Sequence, residues 1–96
     1  MSAYLVVMLN EVKSTAWVEN YVANVPSIFR KYGGEYIAVS KRIVREEGSG
    51  QDPQQIALFT FPSIEAIEGF LKSPEYKPYL DARVAATSAD VFAIEG

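Results

Sequence analysis

Arg83 is the residue of this chain best suited to hold a small anion. Its guanidinium offers a rigid fork of donors that matches a carboxylate or an enolate. It falls in a short segment with Tyr76, Tyr79 and Leu80, side chains able to bury part of it. The same arginine has a plainer use, laying its stem over the helix and pairing with Asp81, Glu75 or a partner subunit. Tyr36 and Tyr76 combine an apolar ring with a hydroxyl, as do Tyr4, Tyr21 and Tyr32, and such side chains either line a pocket or fill a core. Glu47 stands at a strand end beside Gly48. Burial would turn that carboxylate into a general base, whereas exposure beside a glycine-rich loop would leave it solvated. Asn10 adds a polar group at the mouth of the first strand. No residue declares itself catalytic.

The composition removes several chemistries. The chain has no histidine and no cysteine, so the commonest general base and metal ligand, the thiol nucleophile and any disulfide are all absent. Glu46, Glu47 and Asp52 suit hard ions at most and do not follow a calcium-loop spacing. Neither a cofactor nor an intrinsic metal site is expected. Nine basic and twelve acidic residues give a net charge of −3, which argues against a nucleic-acid surface or an anionic membrane as partner. The one basic cluster, Lys41, Arg42 and Arg45, is followed at once by Glu46 and Glu47. The apolar run Ala3–Leu9 is too short to span a bilayer and lacks the flanks of a signal peptide. A cytoplasmic location is the expectation.

These candidates need elements to position them. At 96 residues with 49% apolar content, the chain reads as one domain, residues 1–96, large enough for its own core. Residues 3–10 are rich in β-formers and apolar on both alternating faces, the mark of a strand covered on both sides. Ser14 or Thr15 is a suitable cap for a first helix, whose stripe runs through Trp17, Tyr21, Val25, Ile28, Phe29 and Tyr32. Trp17 is expected to pack this helix on the sheet. Pro26 lies inside the stripe, where a missing donor predicts a kink or a break. Gly33-Gly34 should end the helix through a left-handed cap. Because the pair follows a helix rather than opening one, it is not a phosphate loop.

A second strand is predicted over 35–45, a loop over 48–53, a third strand over 56–61 and a helix opened by Pro62-Ser63. A further helical turn starts at Ser73-Pro74, with Tyr76, Leu80, Arg83 and Val84 along one side. The last strand covers 89–94. Strand, helix, strand, strand, helix, strand, with right-handed crossovers, gives the ferredoxin-like α+β arrangement: a four-stranded antiparallel sheet with helices on one side. The bare sheet face then needs a second copy of the chain, packed sheet to sheet. Either Ile56, Leu58 and Thr60 or Ala57, Phe59 and Phe61 should turn towards that partner.

In order and spacing, Pro26, Tyr32-Gly33-Gly34, Tyr36, Glu47-Gly48, Phe61-Pro62-Ser63, Ser73-Pro74-Glu75-Tyr76, Arg83 and Glu95-Gly96 resemble the family called domain of unknown function 1330, in the dimeric α+β barrel group. The resemblance covers nearly the whole chain. It implies a homodimer and carries no established reaction, although the wider group includes cofactor-free monooxygenases, isomerases and dehydratases. The chain departs from the family pattern in two places. An arginine followed by glycines is usual where Val39-Ser40-Lys41 stand, and an acidic residue where Thr60 stands; if those groups serve chemistry in relatives, that chemistry is lost or altered here. Two functions remain in view. One is a cofactor-free barrel that binds a small, partly apolar organic molecule between sheet and helices, with Arg83 on an anionic oxygen and a tyrosine or Glu47 moving a proton. The other is a non-catalytic metabolite-binding or structural homodimer. An RNA-recognition domain shares the strand order, but needs exposed aromatics on a basic surface.

Overall fold

A computed structural model describes residues 2–96. The elements follow as β1 (Ala3–Val12), α1 (Val18–Lys31), β2 (Glu35–Ser40), β3 (Gln55–Phe61), α2 (Ile64–Leu71), α3 (Lys77–Ala86) and β4 (Thr87–Glu95). The sheet runs β2-β3-β1-β4 with every neighbouring pair antiparallel. This is the ferredoxin-like α+β arrangement.

Strand pairing decides which side chains meet the helices. Ala3, Leu5 and Val7 of β1 lie opposite Phe61, Phe59 and Ala57 of β3. These face a core completed by Val25, Ile28 and Phe29 of α1 and Ile67 and Phe70 of α2. The Phe29 ring sits at its centre, edge-on to Tyr36, Phe59 and Phe70 at 5.0, 5.4 and 6.1 Å between centroids. Tyr4, Val6 and Met8 with Ile56, Leu58 and Thr60 form the opposite face. So do Phe92 and Ile94 of β4, each more than half exposed. Ala57, Phe59 and Phe61 therefore turn towards the helices. Among the described residues, no helix is long and apolar enough to cross a membrane.

Four details differ from the sequence expectation. α1 starts at Val18 with no side-chain cap; the Ser14 hydroxyl instead accepts from the Ala16 amide in the preceding turn. Pro26 does not break α1. The carbonyl it leaves without a donor belongs to Val22, an exposed residue, within reach of water. β2 stops at Ser40 rather than Arg45, because Ser40 already pairs with Ile56, next to the start of β3, and no strand remains to pair with residues beyond it. Ser40 Oγ then accepts from the Arg42 amide and bends the chain away. Finally, Val84 is exposed, while Tyr76 and Arg83 are buried.

The end of α1 is fixed in detail. The Gly34 amide donates to the Phe29 carbonyl and the Gly33 amide to that of Arg30, the paired bonds of a Schellman motif. Gly33 has φ +81°, and a Cβ there would lie 2.6 Å from the Pro62 ring. The turn is thus pressed against the β3–α2 junction. Left-handed backbone alone costs a non-glycine residue about 1–2 kcal/mol. Gly33→Ala adds the collision and should exceed that range. Gly50→Ala, also at positive φ but with nothing within 4 Å, should stay inside it. Urea unfolding of the two variants checks the difference; equal losses would remove the packing role of Gly33.

Candidate functional site

α1 covers the core with its C-terminal half, where Val25, Ile28 and Phe29 are buried. Its N-terminal half stands off the sheet, and the gap is a cavity of about 550 Å³. Val7 and Leu9 of β1 with Ala57 and Phe59 of β3 form the floor. Trp17, Val18, Tyr21 and Val22 form the α1 wall. Tyr36 and Val39 of the edge strand form the outer side, and Lys41, Gln54 and Gln55 bring polar groups near the strand ends. The lining is mainly apolar, at a size ordinary for small-molecule sites.

Arg83 reaches this cavity from α3. It is only 7% exposed. Its Nε is buried and finds no hydrogen-bond partner among the described residues. The two carboxylates that could have neutralised it are engaged elsewhere: Glu75 pairs with Lys31 at 2.6 Å and Asp81 with Lys77 at 3.2 Å. A cation withdrawn from water with an unpaired donor is costly. Thr87 holds the end of its helix, its Oγ1 donating to the Arg83 carbonyl at 2.7 Å.

Beside the arginine, the Tyr21 and Tyr76 hydroxyls lie 2.6 Å apart. Burial first, then Tyr76, push the Tyr21 phenol above its ordinary range, with the Arg83 cation pulling partly the other way. Burial likewise raises Tyr36. Phenols held so are hydrogen-bond donors at neutral pH.

The structure thus brings together three of the five residues picked out in the sequence. Arg83 and Tyr36 line the main cavity, and Tyr76 lies behind it, joined to the wall residue Tyr21. Glu47 is exposed in the segment after β2 and Asn10 sits at a bulge in β1; neither lines the cavity. Asn10 Nδ2 donates to Asp90 at 2.8 Å, and its carbonyl accepts from Gln51, so it ties β4 and the long loop to β1. Of the positions departing from the family pattern, Val39 and Lys41 line the cavity, whereas Thr60 faces the bare side of the sheet. Among the described residues no three acidic side chains gather as a metal site would require. Trp17 and Tyr21 have a place on the cavity wall that helix periodicity does not convey. A stripe of 3.6-residue period says which side faces in, not that the sheet has receded from the first turns.

Fold and cavity define a small ferredoxin-like α+β protein with a ligand-sized space between its layers. The chain belongs to the family described as Domain of unknown function (DUF1330), whose model matches residues 2–96. No curated protein matches the sequence. Among solved structures, it is similar to RPA0582 from Rhodopseudomonas palustris, a protein of unknown function, at 12% identity and a TM-score of 0.78, over 99% of this chain and 82% of that one. A dimeric ferredoxin-like protein of unknown function from Jannaschia sp. CCS1 is 19% identical with a TM-score of 0.76, over 100% of both chains. SnoaB from Streptomyces nogalater, a cofactor-independent oxygenase, is 15% identical with a TM-score of 0.69, over 99% of this chain and 92% of that one. At these identities the likeness is one of fold.

The raised phenol of Tyr21 makes alkaline stability a test of its burial. Above the ordinary tyrosine value of 10.0 the unfolded chain ionises while the folded chain keeps the proton. Stability from this source is therefore complete below that value and is lost as pH rises beyond it. Melting temperatures between about pH 9 and 11 should fall more steeply for wild type than for Tyr21→Phe. Parallel curves would mean that Tyr21 is not the buried phenol.

Proposed function

We propose that this protein is a homodimer that binds a small, partly apolar organic anion between its sheet and its helices, with Arg83 as the counter-charge. One observation carries this most: a buried guanidinium on the wall of an apolar cavity, its Nε unpaired among the described residues and the nearby carboxylates of Glu75 and Asp81 paired with lysines. Folding alone gains nothing from that arrangement, whereas an anionic oxygen in the cavity would repay the desolvation. The proposed setting is the cytoplasm.

Turnover, where it occurs, would use the same groups. Glu47 lies outside the cavity, so a proton would move through a tyrosine, with Arg83 stabilising the resulting oxyanion. The shared fold with a cofactor-independent oxygenase supports a cofactor-free enzyme as the catalytic form of this proposal. A metabolite-binding homodimer without turnover is the other form, and product analysis on an identified ligand separates them.

The dimer is proposed through the bare sheet face. Phe92, Ile94, Leu58 and Val6 share one apolar surface that no helix covers, and a second copy is self-complementary to it. The dimeric Jannaschia protein has the same fold. Wild type should sediment as a dimer at micromolar concentration and Phe92→Asp as a monomer; a wild-type monomer would retire the proposal.

For the ligand, small organic acids are screened by thermal shift and a hit is titrated against Arg83 variants. Arg83→Lys should weaken binding by about tenfold despite keeping the charge, because an ammonium cannot make the planar two-point contact. Arg83→Met should abolish binding while leaving the ligand-free melting temperature unchanged or higher. Equal affinity in Arg83→Lys, or marked destabilisation in Arg83→Met, would make the arginine structural.

A further inference from the structure

Behind the main cavity lies a second hollow of about 20 Å³. Val7, Tyr21, Tyr36, Phe59 and Arg83 line both spaces, while Tyr76 lines only the inner one. A space of that size accepts a single water-sized atom. Most of its wall is hydrocarbon, including Leu5, Val25 and Phe70. Its polar edge is formed by Arg83 and tyrosines.

The hydroxyl pair has a definite proton arithmetic. Tyr21 and Tyr76 carry two hydroxyl protons, and their mutual bond at 2.6 Å uses one. Tyr76 is 2% exposed and does not reach the main cavity. Were Tyr21 the donor, the spare proton would be left on Tyr76, which meets only the inner hollow and its largely hydrocarbon wall; without a ligand that costs the desolvation of an unpaired donor. With Tyr76 donating, the spare proton belongs to Tyr21, on the wall common to both spaces. Burial keeps that phenol protonated through neutral pH.

We propose that the inner hollow is the oxygen subsite of the binding cavity, receiving one oxygen of a planar carboxylate that accepts the spare hydrogen bond from Tyr21 while Arg83 holds the charge. This rests on the anion-binding function proposed above and adds the head group. Two donors converge on the subsite, so its occupant must be an acceptor. A neutral amide would turn an N–H towards other donors or give up the charge. A sulfonate carries a third oxygen, for which the mostly hydrocarbon wall of the hollow offers no further donor beyond Arg83 and the tyrosines. Tyr76 acts through Tyr21 and is a positioning residue.

The test is calorimetric titration with 2-naphthoate, naphthalene-2-sulfonate and 2-naphthamide, which share one apolar body and differ in head group. Wild type should prefer the carboxylate over the sulfonate by about tenfold, with the amide weaker still. Tyr21→Phe should weaken 2-naphthoate by about tenfold and the sulfonate by much less. Tyr76→Phe leaves the Tyr21 proton in place and should cost only about threefold. Binding of 2-naphthoate to Tyr21→Phe as tightly as to wild type overturns the inference, and so does a wild type that does not favour the carboxylate over the sulfonate. In either case a loss in Arg83→Lys still upholds the anion-binding function. No saturable binding of either anion overturns both. The wild-type preference needs no variant, so it decides even where a tyrosine substitution impairs folding.

Discussion

A four-stranded sheet has two faces, and the helices of so short a chain can cover only one. That constraint organises the rest of the structure. On the covered side, Phe29 gathers Tyr36, Phe59 and Phe70 around itself and closes the core. On the other side, Val6, Leu58 and Phe92 lie side by side on neighbouring strands, on the face that none of the described helices covers. A cover from outside the chain would leave the helical side as the only place for a small ligand, which is where the cavity lies.

Within that side, position and charge are decided by different parts of the chain. β1 and β3 supply a floor of small and aliphatic side chains, and α1 a wall of larger aromatic ones. Among the described residues, only α3 brings in a buried cation. Arg83 escapes neutralisation because its neighbours Glu75 and Asp81 lie on the outer surface, where Lys31 and Lys77 take them. Its unpaired donor is therefore a property of the segment's geometry: successive side chains diverge around the helix, and the guanidinium turns inward alone.

Much of this architecture was legible in the sequence. The β-forming run Ala3 to Leu9, the Gly33-Gly34 stop and the helix opened after Pro62-Ser63 act through local chemistry, and each appears as read. What escaped depended on partners distant in sequence. The length of β2 is set by where β3 begins, which Ile43 and Val44 cannot signal. Pro26 does not break the helix, and the residue it deprives of a donor, Val22, is exposed, a fact of tertiary position. The site divides in the same way. Arg83, Tyr36 and Tyr76 drew notice through their own chemistry. The importance of Tyr21 came from a hydroxyl 55 positions away, and Glu47 and Asn10 drew notice by their places near strand ends, yet neither lines the cavity.

α1 is anchored unequally, and this has a mechanical consequence. Its far end is wedged by the Gly33–Pro62 contact and by three buried side chains, whereas its near end carries half-buried Trp17 and Val18 and an exposed Val22. The helix is a cantilever, clamped in the core and tied over the cavity mainly through the Tyr21 hydroxyl's bond to Tyr76. Segments with few buried contacts open at low free energy. The wall of the cavity formed by Trp17, Val18 and Val22 is therefore the yielding one, while the sheet floor and the Gly33–Pro62 end of the helix are the stiff ones.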